Sequence, residues 1–192
     1  MKNYILKTGF LLFIGLLITS FTSFKDEKKV IDTSKSTLEW LGTKVTGKHN
    51  GTIKLKSGYF NFQDKKLVGG EFVVDMKTIV CNDLQGEYKA KLEAHLSSDD
   101  FFGVANFAES TFKITRLGVI APNKYKVTGD LTIKGKTFEN SFVLEFEGNK
   151  AQGTLVVDRT KYGIKYGSGS FFDNLGDKAI SDNFELKISL VF

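Results

Sequence analysis

The sequence predicts an all-β protein: about eight antiparallel strands joined by short turns, with a single helix. Three observations carry this. Apolar and polar residues alternate strictly through several stretches, the pattern of a strand with one face in a core. The two clearest stretches are separated by "IKGKT", a hairpin signal centred on Gly135. One stretch alone, 82–96, shows helical spacing instead.

The chain opens with a different kind of segment. Lys2 and Lys7 precede the apolar run "GFLLFIGLLI", which gives way to the small polar residues of "TSFTSF". A basic start, a short apolar stretch and a small-residue exit predict a signal peptide over residues 1–22 and a periplasmic or secreted protein. The run is short for a bilayer span. Residues 30–192 then form one domain.

The strands follow in order. "TLEWLGTKV" places Leu38 and Trp40 on one face. "TIKLKSGYFNF" aligns Ile53 and Leu55, then Phe60 and Phe62, so the face changes near Gly58 and predicts a bulge. "LVGGEFVVDM" carries Phe72, and "STFKITRL" sets Phe112 with Ile114. "KYKVTGDLTIK" aligns Tyr125, Val127, Leu131 and Ile133. "KTFENSFVLEFE" aligns Phe138, Phe142, Leu144 and Phe146. "QGTLVVD" and "NFELKISLVF" complete the set. In the helical stretch, Leu84, Tyr88, Leu92 and Leu96 share a face. Asn82 is placed to cap it, and Glu87–Lys91 and Lys89–Glu93 are i,i+4 pairs.

Strands with one apolar face must bury that face, either between two sheets or inside a closed barrel. An eight-stranded barrel is just wide enough to be filled by its own side chains or to hold one small ligand.

Composition narrows the chemistry. Formal charge is +5, and falls to +3 once Lys2 and Lys7 leave with the signal. The lysines are dispersed and the arginines are Arg116 and Arg159, so nucleic acid is not a predicted partner. Cys81 is the only cysteine. No disulfide can form within the chain, and Cys81 reads as a small buried residue. His49 and His95 are the only histidines, too few for an ordinary zinc site. "HNG" reads as a turn. No serine stands in a nucleophile-elbow context, and "YGSGSFFDNLG" lacks the Lys-Ser/Thr of a phosphate loop. It reads as a rim loop carrying Phe171 and Phe172. No catalytic residue, metal ligand or cofactor is assigned.

"KHNG", "HLSSDDFFGVANFAESTFKI", "VTGDLTIKGKT" and "VDRTKYGI" occur in this order and spacing, and together they resemble the YceI-like family of exported lipid-binding proteins. The resemblance implies a lipocalin-like barrel around an elongated apolar channel. It implies polyisoprenoid ligands, such as an isoprenoid quinone or a prenyl phosphate. One departure is visible: the family often has proline after the aromatic where this chain has Phe107-Ala108-Glu109.

On that reading the inward residues become ligand contacts: Trp40, Phe60, Phe72 and Phe112 from the first strands, Tyr125, Val127 and Leu131 from the next, and Phe142, Leu144 and Phe146 from its hairpin partner. Phe101 and Phe102 would point into the mouth, with Asp99 and Asp100 holding the turn. Arg159, at a barrel end, would meet a lipid head group or pair with Asp158 to fix the turn. The expected partner is an amphiphilic lipid, with transient membrane contact and an oligomeric state left open, a dimer included. Two alternatives stand beside carriage: an enzyme acting on a small hydrophobic substrate, which would need a polar pair such as His49 with an acid, and a stress-related module whose interior is simply filled.

Overall fold

The computed structural model describes residues 25–192; the expected signal peptide lies outside them. The strands are β1 (Asp26–Val30), β2 (Thr37–Lys44), β3 (Gly47–Gln63), β4 (Lys66–Cys81), β5 (Glu109–Ala121), β6 (Lys124–Ile133), β7 (Lys136–Glu147), β8 (Lys150–Asp158) and β9 (Ile180–Val191). The helix α1 (Gly86–Ser97) joins β4 to β5. Every pairing is antiparallel, in the order β3-β2-β9-β8-β7-β6-β5-β4, and β3 also pairs with β4. The ring of eight strands is therefore closed, which satisfies the main-chain groups that an open sheet would leave along its edges.

β1 is a short ninth strand. It lies beside the far half of β3, from Asp26 opposite Gln63 to Val30 opposite Tyr59. β2 takes the near half, from Leu38 opposite Ile53 to Lys44 opposite Gly47. The two share one position in the wall in succession.

The face change expected near Gly58 is present. Ile53 and Leu55 are buried, then Gly58, Phe60 and Phe62, and the β3–β4 register shifts between Leu55 and Ser57. Lys134 and Gly135 both have positive φ (50° and 71°), which the two-residue hairpin turn requires. Phe107 packs on that turn: a Cβ at Gly135 would lie 2.9 Å from its ring.

Four local expectations are corrected. "HNG" is not a turn; His49–Gly51 lie within β3, and the chain reverses at Val45–Thr46. The helix begins at Gly86, not at Asn82, with Gln85 as its uncapped N-terminal neighbour. Tyr88 points to solvent, 75% exposed, while Leu96 is buried. The physical reason is that polar contacts orient the start of α1. Lys89 Nζ donates to the Cys81 carbonyl at 2.7 Å, and Glu93 Oε1 accepts from the Cys81 N–H at 2.8 Å. The pairs Glu87–Lys91 and Lys89–Glu93 form as expected, at 2.6 and 3.5 Å. Phe138, expected inward, is 40% exposed and stands edge-on to Tyr162.

Glycines in the wall make room for the large rings inside. Phe72 lies across β3 from Gly58, where a Cβ would meet its ring at 2.7 Å. Trp40 lies across from Gly51 in the same way, at 2.5 Å. Any side chain there would displace the ring.

Candidate functional site

The inward residues are ordered by depth along every strand. At one end, under the helix and the loop 98–108, lies a cavity of 190 Å³. A second hollow of 70 Å³ adjoins it, sharing Val74, Ser110, Leu131, Leu155 and Leu186 as wall. Below that the interior is filled with aromatic rings.

The sequence-derived contacts divide among these three levels. Trp40, Phe101, Phe102, Leu131 and Arg159 line the larger cavity. Phe72, Phe112, Val127, Leu131, Phe142 and Leu144 line the smaller one, with Phe112 and Phe142 ring centres 5.6 Å apart. Phe60, Tyr125 and Phe146 line neither. Phe60 is fully buried, 5.1 Å from both Phe72 and Phe146 and 5.4 Å from Phe192, and Tyr125 stands edge-on to Phe146 at 5.7 Å.

Phe101 and Phe102 are held by the turn that follows α1. The Phe101 and Gly103 N–H groups donate to Ser98 O, that of Phe102 to Leu96 O, and that of Val104 to Ser97 O. This main-chain lacework fixes both rings inward, each 8% exposed. The two phenylalanines in an otherwise watery connection are thus the roof of the larger cavity.

Arg159 begins the 3-10 turn Arg159–Tyr162 after β8 and is 2% exposed. Its Nε donates to Ser181 O (2.9 Å), its Nη1 to Ile164 O (2.9 Å) and its Nη2 to Ile180 O (3.1 Å). Three of five N–H donors are thereby engaged. Arg159 does not pair with Asp158, whose carboxylate accepts instead from the Thr160 N–H and hydroxyl. The nearest carboxylate oxygen of Asp182 stands off at 3.8 Å from Nη2. Burial pulls the Arg159 pKa below its usual value, while the charges of Asp182 and Asp158 oppose that pull. Asp182 is itself pushed up by burial but held below the usual carboxylate range by Ser168, Ser170 and Arg159.

Two buried polar atoms at this end have no hydrogen-bond partner: Nε2 of His95 and Oδ1 of Asp182. The His95 ring lies edge-on between Phe101 (5.2 Å) and Tyr166 (4.4 Å) and lines the cavity. The charged side chains in that lining are Lys44 and Arg159, with His49 and His95 beside them; among the described residues, no carboxylate lines it. His49 is anchored through Nδ1 to Asp83 Oδ2 at 2.8 Å, and Asp83 Oδ1 accepts from the Asn50 N–H and from the Cys81 thiol. The larger hollow is thus apolar except for a few polar groups, and those with formal charge are cationic.

Sequence reasoning passed over His95, which reads in "EAHL" as an ordinary helix end, and over Leu155, and it left Leu186, on the apolar face of the last strand, out of the site. The alternation in "QGTLVVD" was the available signal for Leu155.

A closed antiparallel barrel with an apolar hollow roofed by a helix and an aromatic loop defines a class of small β-barrels with room inside. The chain belongs to the YceI-like domain family, whose model matches residues 30–192. UPF0312 proteins of Staphylococcus aureus are among its relatives; that of strain USA300 is 36% identical over 100 residues, 46% of this chain and 55% of the relative. The chain spans about half the length of the curated relatives it matches. Among solved structures, BcnA of Burkholderia cenocepacia is similar, with a TM-score of 0.68 at 22% identity, covering 84% of this chain and 99% of that one. A polyisoprenoid-binding domain from Saccharophagus degradans, implicated in plant cell wall breakdown, is similar with a TM-score of 0.58 at 14% identity, covering 84% and 95%. At these identities the likeness establishes the fold.

Proposed function

We propose that this protein binds an amphiphilic lipid inside the barrel and carries, stores or sequesters it in the cell envelope, as a periplasmic or secreted protein. One observation carries the reading: the interior hollow is apolar along its depth, and its charged and imidazole groups gather at the roofed end. A tail lying in the hollow leaves water, at roughly 0.8 kcal/mol per buried CH₂. A head group that accepts hydrogen bonds, such as a quinone carbonyl or a prenyl phosphate, would lie near Arg159 and His95. The Saccharophagus degradans domain supports the ligand class by analogy. Tyr166, Phe171 and Phe172 are exposed around this end, with Lys165 4.3 Å over the Phe171 ring, a surface suited to transient membrane contact during loading.

Trp40 is the only tryptophan and lines the larger cavity, so its fluorescence is a built-in reporter. Titrating the protein with farnesol should change Trp40 emission saturably. Emission that stays flat, with no displacement of a preloaded fluorescent fatty acid, would sink the proposal.

A second reading rests on the His49–Asp83 pair. A carboxylate on Nδ1 fixes the histidine tautomer with Nε2 free, the arrangement of a general base. In an enzyme the bound lipid would be converted on standing and His49→Gln would stop the conversion; in a carrier it would persist unchanged.

A further inference from the structure

We propose that the channel is blind and measures tail length, holding about a dozen chain atoms of an amphiphile and gaining nothing from the atoms beyond them. This rests on the lipid-binding reading and specifies its ligand. The observation behind it is the floor. Phe60, Phe62, Phe146 and Phe192 form one cluster with ring centres 5.1–6.2 Å apart, and none of them lines either hollow. Gly70 lies opposite Phe60 on β4 and brings the wall close to the plug: a Cβ there would lie 3.3 Å from the Phe60 ring. The rings meet mostly edge to face, a favourable packing that resists being parted by a thin alkyl chain.

The strands supply the ruler. On β6 the wall of the hollows runs from Ile133 at the roofed end to Val127 at the floor, and Tyr125 beyond it belongs to the plug. On β9 it runs from Phe184 to Leu190, with Phe192 beyond. Six residues of strand span ~20 Å. A strand tilt of about 40° shortens this to ~15 Å along the barrel axis. An extended chain advances ~1.2 Å per bond, since a residue of three bonds spans about 3.6 Å at most. The hollow therefore ends at roughly twelve bonds. That length fits a dodecyl tail or a tail of three isoprene units. A longer tail would have to fold back or leave its end in water.

The test is a series of straight-chain fatty acids from eight to eighteen carbons, each kept below its micelle threshold. Binding is read by Trp40 emission and by displacement of a fluorescent dodecanoyl probe. Affinity should tighten roughly fourfold with each added methylene, then stop improving near twelve carbons. Phe146→Ala opens the floor and should move the break to longer tails. Phe192→Ala, at the last residue of the chain, gives the same readout if the first variant folds poorly. Affinity that climbs without a break through eighteen carbons would overturn the blind channel while leaving lipid binding intact. A break that stays near twelve carbons in a folded floor variant would also overturn it. Binding of no member at any length would overturn the lipid-binding reading and this proposal together.

Discussion

The guanidinium of Arg159 lies 5.6 Å from the centre of the Phe101 ring. The contact joins the loop after α1 to the 3-10 turn after β8, and so ties the roof of the cavity to its wall. Because Arg159 also holds three carbonyls from the 164 and 180–181 segments, its first role is to order this end of the barrel.

Arg159→Ala should therefore destabilise the protein by about 3 kcal/mol, because the buried Ile164 carbonyl and its neighbours lose charged donors. Arg159→Lys should recover only part of that, since an ammonium cannot reproduce the planar fork. Urea denaturation with an unchanged m-value is the check. If both variants kept the wild-type midpoint and lost only ligand, Arg159 would be a head-group contact without a structural part.

Replacing Phe101 and Phe102 together by Ala should speed ligand release more than it weakens the fold. Both rings face the hollow, so they lack packing on one side, whereas a fully enclosed ring such as Phe60 does not. Phe60→Ala should lower the urea midpoint by the equivalent of about 4 kcal/mol, and the double variant by less. Release of a fluorescent fatty acid should accelerate only in the double variant. A midpoint drop equal to that of Phe60→Ala with unaltered release would make the two rings ordinary core.

Acid should loosen the roofed end through Asp83. Burial pushes the Asp83 carboxyl up, but the Asn50 N–H, the His49 ring and the Cys81 thiol hold it at about 2, below its usual 3.8. A depressed folded-state pKa adds stability that is present above the unfolded value and is lost as pH falls through the folded one. The loss should thus run from about pH 4 to about pH 2. Asp83→Asn should be less stable than wild type at neutral pH, and the gap should narrow across that window. Thermal midpoints taken at pH 6, 4, 3 and 2 decide it; a gap independent of pH would remove Asp83 from the account.

Cys81 should react slowly with thiol reagents in the native protein and at once in urea. It is fully buried, and burial pushes its thiol pKa up. Thiolate, the reactive form, is therefore scarce as well as shielded. Native labelling as fast as that of a free thiol would mean that the β4–α1 junction opens readily.

The barrel was legible in the sequence because alternation is a property of adjacent residues: β6, β7 and β9 follow from their own side chains. Its closure was not, because it depends on the β2–β9 pairing, which sets Thr37 opposite Ser189 and Lys44 opposite Ile180, partners far apart in the chain. The helix start was misplaced because Leu84 continues the apolar spacing, while the contacts that fix α1 come from Lys89 and Glu93 to Cys81. Of the site, the roof and wall were legible as inward aromatics. Which rings fill space and which border a hollow was not: Phe142 and Phe146 sit on the same face of one strand, yet only Phe142 borders a cavity. The glycines opposite Phe72 and Trp40 were a usable signal for where large rings cross the wall. Arg159 was recognised as a residue of consequence, but two of its three carbonyl partners, those of Ile180 and Ser181, lie on a segment that no local pattern connects to it.

Native mass spectrometry of the full-length protein, recovered from its own cells without detergent, decides whether the barrel holds a lipid. The expected spectrum contains a population heavier than the polypeptide by the mass of one amphiphile, released by organic extraction and rebound by the extracted protein. A single species at the polypeptide mass that takes up neither the extract nor a dodecyl or farnesyl amphiphile would contradict it, and the interior would then be a packing defect rather than a binding site.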